Sequence, residues 1–344
     1  MLYSIQCNTL TINDVFRGRV HRFDLTKFRF RHEIQILHAA LSPEYDAVAV
    51  AFELSDFEGI RRTKLYAEGI LLCDLTTDTV TWVYDYTCLE AVFSRINTQM
   101  LYMARFGAIA SLSLADGTET EIYHFARNMH NPEGLRPSAD GKYLLYMRYS
   151  SGRYVLHLSS LQDRHEDIVI GASYHQSYDF LNDSQVIHSH ARGLKVFDII
   201  EQKNTLVLRN GQAIVKKYRE NPYINQVRQA LDITPSDRII TDQISSPLVS
   251  CGRVYFELFI LSWQQELSCW CSVDTSLKDF RIYPTVGEKQ LYTKLYVYGD
   301  TSRQVLVYHY CSSEADVRRR SWRCRVMDGN KTYVLENCTP IEAS

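Results

Sequence analysis

The feature that most constrains this 344-residue chain is a phrase that recurs along it at blade-sized intervals, about 40 to 50 residues apart. Each copy is a small or Pro-containing turn, a run of strand formers, a second run, and a turn usually led by Asp. The clearest is Arg136-Pro-Ser-Ala-Asp-Gly-Lys-Tyr-Leu-Leu-Tyr-Met147. Repeats of this length made of short strands predict a β-propeller, because each unit is one small sheet that buries its faces only against its neighbours. Such frames host binding, scaffolding and catalysis alike, so the repeat speaks to fold before it speaks to chemistry.

With Ser138 as reference, equivalent turn positions fall at Ser42, Ser94, Leu181, Val249 and Gly299, each followed by a run that reads as a second strand. The runs are 47–52, 99–104, 143–148, 186–191, 254–261 and 305–311. Third strands are expected to end in turns at Asp24, Asp74, Asp198, Asp274 and Asp328, where the carboxylate bonds its own backbone. The repeat ending at Asp24 would need an opening strand ahead of Met1. Six full repeats and one partial one predict seven four-stranded antiparallel blades, with six or eight as alternatives. The approximate blades are 1–37, 38–86, 87–126, 134–171, 172–210, 237–285 and 289–338, forming a single domain over 1–344. Two ends of a closed propeller commonly share a blade, which removes exposed strand edges. The closing partner is open, since the residues after Cys338, Thr-Pro-Ile-Glu-Ala-Ser, make a poor strand.

Residues 211–236 exceed the repeat. Ala213, Ile214, Val215 and Tyr218, then Ile224, Val227 and Leu231, recur at helical spacing, with Asn221 as N-cap and Pro222 in the first turn. Two short helices are expected, either covering a blade edge or forming a lid or docking element.

The turn and strand phrase resembles the bacterial WD40-like, or TolB-like, propeller repeat, whose typical form is Ser-Pro-Asp-Gly-Lys before an apolar strand. Ser138-Ala-Asp-Gly-Lys-Tyr-Leu-Leu-Tyr matches it closely and Ser42-Pro-Glu-Tyr-Asp-Ala-Val-Ala-Val in part. The resemblance implies a fold and no active site. The Gly-His and Trp-Asp signatures of eukaryotic WD40 repeats are missing.

Composition bounds the partners. A net charge of -2 provides no basic field for nucleic acid phosphates, so no nucleic acid partner is expected. No run reaches about 18 apolar residues and the first residues lack a leader pattern, so no membrane span and a cytoplasmic location are expected. The nine Cys are scattered, consistent with free thiols in a reducing compartment. Cys269 and Cys271 flank Trp270 on one strand face and read as core thiols. Cys311 and Cys324 straddle a hairpin loop and could be cross-strand neighbours, or a disulfide under oxidising conditions.

Loop length locates the functional face. First-to-second and third-to-fourth turns are short, whereas second-to-third loops and inter-blade crossings are long and varied, and all of the latter open on one face. Its binding candidates are His130, Arg192, Trp263 and the run Arg318, Arg319 and Arg320. Trp263 is the natural anchor for a partner. The arginine run reads as a solvated loop or an acidic-partner site.

His188 and His190 lie two apart on one strand and so share a face; His175 or Gln185 could add a third ligand for a divalent metal. The order Gln185-x-x-His188-x-His190 is similar to the metal-binding stretch of oligogalacturonate lyases, also seven-bladed propellers, although here it follows the Ser-type turn. Structural imidazoles bonded within the sheet stack are the other reading. Nucleotide-binding and hydrolase signatures are missing. The expected function is a non-enzymatic propeller without a cofactor, presenting its loop-rich face to a protein partner. The alternative is a lyase-like enzyme, or a binder of a small sugar or peptide, working at a His-containing central opening with a divalent metal.

Overall fold

The computed structural model describes residues 1–6, 8–30, 33–55, 66–125, 131–150, 152–162, 167–172, 178–209, 223–234, 239–262, 266–276, 278–283, 291–300, 302–311, 322–329 and 331–343. Their strands form seven sheets, the blades of a seven-bladed β-propeller. Two compact units divide the chain: one comprises Met1–Ser151, Leu158–Ile168 and Gln290–Ser344, the other Gly152–His157 and Val169–Lys289. The first unit holds blades 1, 2, 3 and 7 and most of blade 4; the second holds blades 5 and 6.

The Ser-led phrase works as a turn clamp. Ser138 Oγ donates to Asp140 Oδ1 at 2.8 Å and accepts from the Tyr143 N–H at 2.9 Å, while Ser138 N–H bonds Tyr143 O at 2.9 Å. The chain reverses through Gly141 at φ +69°, a left-handed conformation that glycine adopts without strain. Ser42 repeats the device: its Oγ donates to Asp46 Oδ1 at 2.6 Å and accepts from Ala47 N–H at 2.9 Å. Each clamp delivers the chain into a second strand, Ala47–Ser55 and Tyr143–Ser150.

Blade 1 departs from the expected strand order. Its outer three strands are Leu2–Gln6, Thr9–Asp14 and Arg19–Asp24, so Asp24 ends the fourth strand and not the third. The third-to-fourth turn belongs to Asp14, whose Oδ1 accepts from Phe16 N–H at 3.1 Å and Arg17 N–H at 2.9 Å. Asp24 uses the same chemistry one strand later, accepting from Thr26 N–H at 2.9 Å. The Asp motif reports a bonded turn without saying which strand precedes it, and this misplaced the strands of blade 1 while the expected seven blades stand.

The innermost strand of blade 1 is Thr339–Pro340, antiparallel to Leu2–Tyr3. The segment that reads as a poor strand therefore closes the blade with two residue pairs. It is held largely by side chains: Ile341 is fully buried, its N–H bonds Met1 O at 3.0 Å, and the Tyr298 hydroxyl lies 2.9 Å from Met1 O and 2.7 Å from Ile341 O. Residues Glu342–Ala343 then run parallel to Ala40–Leu41, adding a fifth strand to blade 2.

Apolar packing between sheets supplies the cohesion. In the first unit Leu10, Ile12, Phe23, Val50, Phe52, Val307 and Ile341 form one cluster spanning blades 7, 1 and 2. Burying each such side chain contributes about 1.5–3 kcal/mol. Phe28, Phe30 and Trp82 extend it: Trp82 meets Phe28, Phe30 and Phe52 edge-on, Phe30 meets Phe52 at a tilt, and Trp82 Nε1–H bonds Tyr84 O at 2.6 Å. In the second unit the helix Tyr223–Ala230 buries Val227, and Leu231 and Ile233 follow it into a cluster with Ile244, Phe256 and Cys269. This helix covers blade apolar surface. The other expected helix, at 213–218, lies outside the described residues, as do Asn221 and Pro222.

The eight thiols among the described residues are free and, except for Cys251, buried. Cys269 and Cys271 have Sγ atoms 3.7 Å apart inside blade 6, and burial raises the Cys271 pKa well above its ordinary value. Cys324 sits opposite His309 and not Cys311, and its Sγ bonds Cys338 O at 3.2 Å. The two cysteines thus miss cross-strand pairing by two positions on one strand.

Candidate functional site

Polar side chains on the inner strands reach across to the next blade. His38, on the strand Glu33–Leu41, lies with Nδ1 3.1 Å from Ala91 O; a carbonyl accepts, so Nδ1 carries the proton. Glu90 begins the next inner strand, Glu90–Phe93, and is buried. Its two carboxylate oxygens accept from Gly134 N–H at 2.7 Å and Leu135 N–H at 2.8 Å in blade 4. In the second unit Asp179 repeats the arrangement, accepting from Val249 N–H at 2.8 Å. These clasps tie blade to blade, and in the first unit they also gather charge.

His38 Nε2 points at two carboxylates, 3.7 Å from Glu90 Oε1 and 3.5 Å from Glu342 Oε2, without completing a hydrogen bond. Glu342 in turn accepts from Arg136 NH1 at 2.8 Å and from Lys294 Nζ at 2.7 Å. The Lys294 ammonium also lies 5.1 Å from the centroid of the Tyr296 ring. Five elements thereby place five ionisable groups together: blades 2, 3, 4 and 7 contribute His38, Glu90, Arg136 and Lys294, and the closing segment contributes Glu342.

The electrostatics follow from this geometry. Burial opposes charge on Glu342, but Arg136, Lys294 and His38 outweigh it and hold its carboxyl well below the usual carboxylate range. Burial likewise pulls the His38 pKa down, and Glu90 and Glu342 more than reverse this, so it lies above its ordinary value. Perturbed groups that share partners in this way mark candidate functional sites.

A second feature lies at the end of the blades that carries crossings and second-to-third turns. Tyr84, Tyr86, Arg105, Phe106 and Glu119 line a cavity of about 430 Å³. Tyr86 is 67% exposed and Phe106 57%, unusual values for large apolar side chains. Beside them Arg105 pairs with Glu119, which also accepts from the Tyr84 hydroxyl at 2.7 Å. The opposite blade ends are not bare. A cleft of about 610 Å³ there is lined by Phe16, Arg17, Arg19, Asp46 and Arg303, drawn from short turns of blades 1, 2 and 7.

Of the candidate site residues singled out from sequence, Gln185, His188, His190 and Arg192 are described. His188 is buried and its Nε2–H donates to Asn204 Oδ1 at 2.8 Å, with Nδ1 3.3 Å from Ser189 O. Asn204 is itself fixed by donating to Ile170 O at 2.9 Å. Both His188 nitrogens therefore face protein oxygens, and burial lowers its pKa. His190 Nδ1 accepts from Arg192 N–H at 3.2 Å, and burial followed by the charges of Lys195 and Arg192 lowers its pKa. Arg192 is exposed in the hairpin turn. Gln185 bonds Asn182 at 3.0 Å and is not turned toward the two imidazoles as a ligand. Among the described residues no three His, Cys, Asp or Glu side chains gather as a metal-ligand set. His130, His175, Trp263, Arg318, Arg319 and Arg320 lie outside the described residues.

Sequence reading passed over His38, Glu90, Arg136, Lys294 and Glu342. One signal was present: His38 and Glu90 each stand four residues before a turn serine, Ser42 and Ser94, where an inner strand would ordinarily be apolar.

No protein-family model matches this sequence, and no curated protein matches it. Among solved structures, an oligogalacturonate lyase in complex with manganese superposes with a TM-score of 0.56 over 94% of this chain and 83% of that one, at 11% identity. The β-propeller domain of the Trilobed protease from Pyrococcus furiosus gives 0.52 over 88% and 82%, at 11% identity. A prolyl endopeptidase gives 0.58 at 10% identity; 96% of this chain matches 46% of its length. At such identities the likeness establishes a shared propeller fold.

Proposed function

We propose that this protein is a binding propeller that docks a protein partner at the blade ends carrying Tyr86 and Phe106. The observation that supports it most is the pairing of these two exposed aromatics around a cavity whose wall holds the Arg105 and Glu119 ion pair. Exposed aromatic side chains bring large contact area at small entropic cost, and a neighbouring ion pair fixes orientation. The aromatic pair lies on an inter-blade crossing and a second-to-third turn, the segments where loop variety in the sequence places binding. A photo-crosslinking residue in place of Tyr86 or of Phe106 tests this. Both sites are expected to capture the same polypeptide, and a crosslinker at Ile200, 83% exposed in the second unit, is expected not to. Equal capture from Ile200 would sink the reading.

A second reading, a lyase-like or sugar-binding site, is favoured by the position of His38 between Glu90 and Glu342. An imidazole whose pKa is raised beside carboxylates is suited to proton transfer. Cleavage of oligogalacturonate in the presence of manganese, lost on His38→Gln, would support it; no cleavage by the wild-type chain would remove it.

A further inference from the structure

Glu342 occupies its surroundings as a ligand would. The closing segment changes character at Ile341. That residue is fully buried and bonded to Met1, whereas the next two pair with Ala40 and Leu41 through a short parallel ladder and end in an exposed Ala343. Two cations and an imidazole converge on the one Glu342 carboxylate. The Glu90 oxygens are already engaged by the Gly134 and Leu135 amides. Removing Glu342 would take the shared carboxylate away from Arg136, Lys294 and His38, and His38 Nε2 is buried without a hydrogen bond even with Glu342 present.

The geometry points to a peptide site. We propose that Arg136, Lys294 and His38, with the inner strand of blade 2 beside them, bind an extended acidic segment of a protein partner. That segment enters as a parallel strand next to Ala40–Leu41 and places one Asp or Glu carboxylate where Glu342 lies. The mode is strand addition: main-chain bonds supply affinity and the charged cradle supplies selection. The assignment rests on the partner-docking reading above and deepens it. Continuity with that surface supports it, because Tyr86 stands on the crossing that leads directly into Glu90, so one polypeptide can meet the aromatics and the cradle together. Glu342 is then a resident competitor. A tethered segment acts at an effective concentration of about millimolar, so a free peptide displaces it only weakly while a partner with further contacts succeeds.

The test is calorimetric titration of the full chain carrying Glu342→Ala with the peptide Thr-Pro-Ile-Glu-Ala-Ser, and with its Gln counterpart. The Glu peptide is expected to bind saturably and the Gln peptide at least about tenfold more weakly, since a charge-assisted bond is lost. The wild-type chain is expected to bind the Glu peptide at least about tenfold more weakly than the variant does. Equal affinity for both peptides, equal affinity for wild type and variant, or no binding overturns the proposal. Should Glu342→Ala fail to fold, Glu342→Gln preserves the side-chain shape; should both fail, the wild-type chain decides, and no preference for the Glu peptide at millimolar concentration overturns it. A negative result here leaves the crosslinking from Tyr86 and Phe106 untouched, so the two readings fail separately.

Discussion

The Glu342 carboxylate accepts a 2.8 Å bond from the Arg136 guanidinium, joining the closing segment to the inner strand of blade 4. Both side chains are about one-sixth exposed, so the pair is partly desolvated, whereas the Lys294 contact to the same carboxylate is nearly half exposed and counts for less. Truncating Glu342 to Ala takes this carboxylate from Arg136, whose NH1 also donates to Leu135 O at 3.0 Å. The expected loss is about 2–3 kcal/mol, below the range for a fully buried pair. The urea midpoint should fall with an unchanged slope, and Glu342→Ala with Arg136→Met together should recover part of the loss.

The two perturbed histidines of the first unit make stability pH-dependent in opposite senses. The His38 folded pKa lies above its 6.5 reference, so its stabilisation is complete below 6.5 and is lost as pH rises through the folded value. His309 is half-buried against Trp322 near Lys294, and burial first, then Lys294, lowers its pKa to about 4. The unfolded chain binds that proton more readily between 6.5 and about 4, so the folded state weakens as pH falls through this window. Melting temperature against pH should flatten on the alkaline side in His38→Gln and on the acid side in His309→Phe.

Ser138 and Ser42 perform the same clamp, which predicts similar penalties. Replacing either by Ala leaves a second-strand N–H, of Tyr143 or Ala47, without its acceptor, costing about 1–2 kcal/mol. Gly141→Ala should cost a comparable amount through its positive φ. Chemical denaturation of the three variants checks this; a neutral Ser138→Ala would show that the hydroxyl is dispensable.

His188 links strand to strand through Asn204. His188→Ala should lower stability by about 1–3 kcal/mol, the cost of an unpaired polar group and a small cavity in a buried site. His188→Gln, which can still donate to Asn204, should restore part of it, as thermal unfolding of the two variants would show.

The architecture was legible because a propeller repeats its instructions. Ser138 and Ser42 announce their turns, and the runs that follow them become second strands. Blade 1 was misread for a local reason: Asp14 and Asp24 make equivalent bonded turns one strand apart. The closing strand was illegible because Thr339–Pro340 owes its place to Ile341 burial and the Tyr298 hydroxyl, neither of which is a strand propensity. The charged cluster was hidden for a similar reason. His38, Glu90, Arg136, Lys294 and Glu342 are scattered over some 300 positions of sequence, and only the convergence of inner strands brings them together. His188 and His190, only two positions apart in sequence, looked more like a site, yet sheet bonding engages His188.

The most direct test of the binding account is the affinity of the crosslinked polypeptide, once isolated, for the wild-type chain and for Tyr86→Ala/Phe106→Ala, at matched melting temperature. Loss of two aromatic anchors should weaken binding at least about tenfold, since such residues commonly contribute more than 1 kcal/mol each. An unchanged dissociation constant would contradict the account.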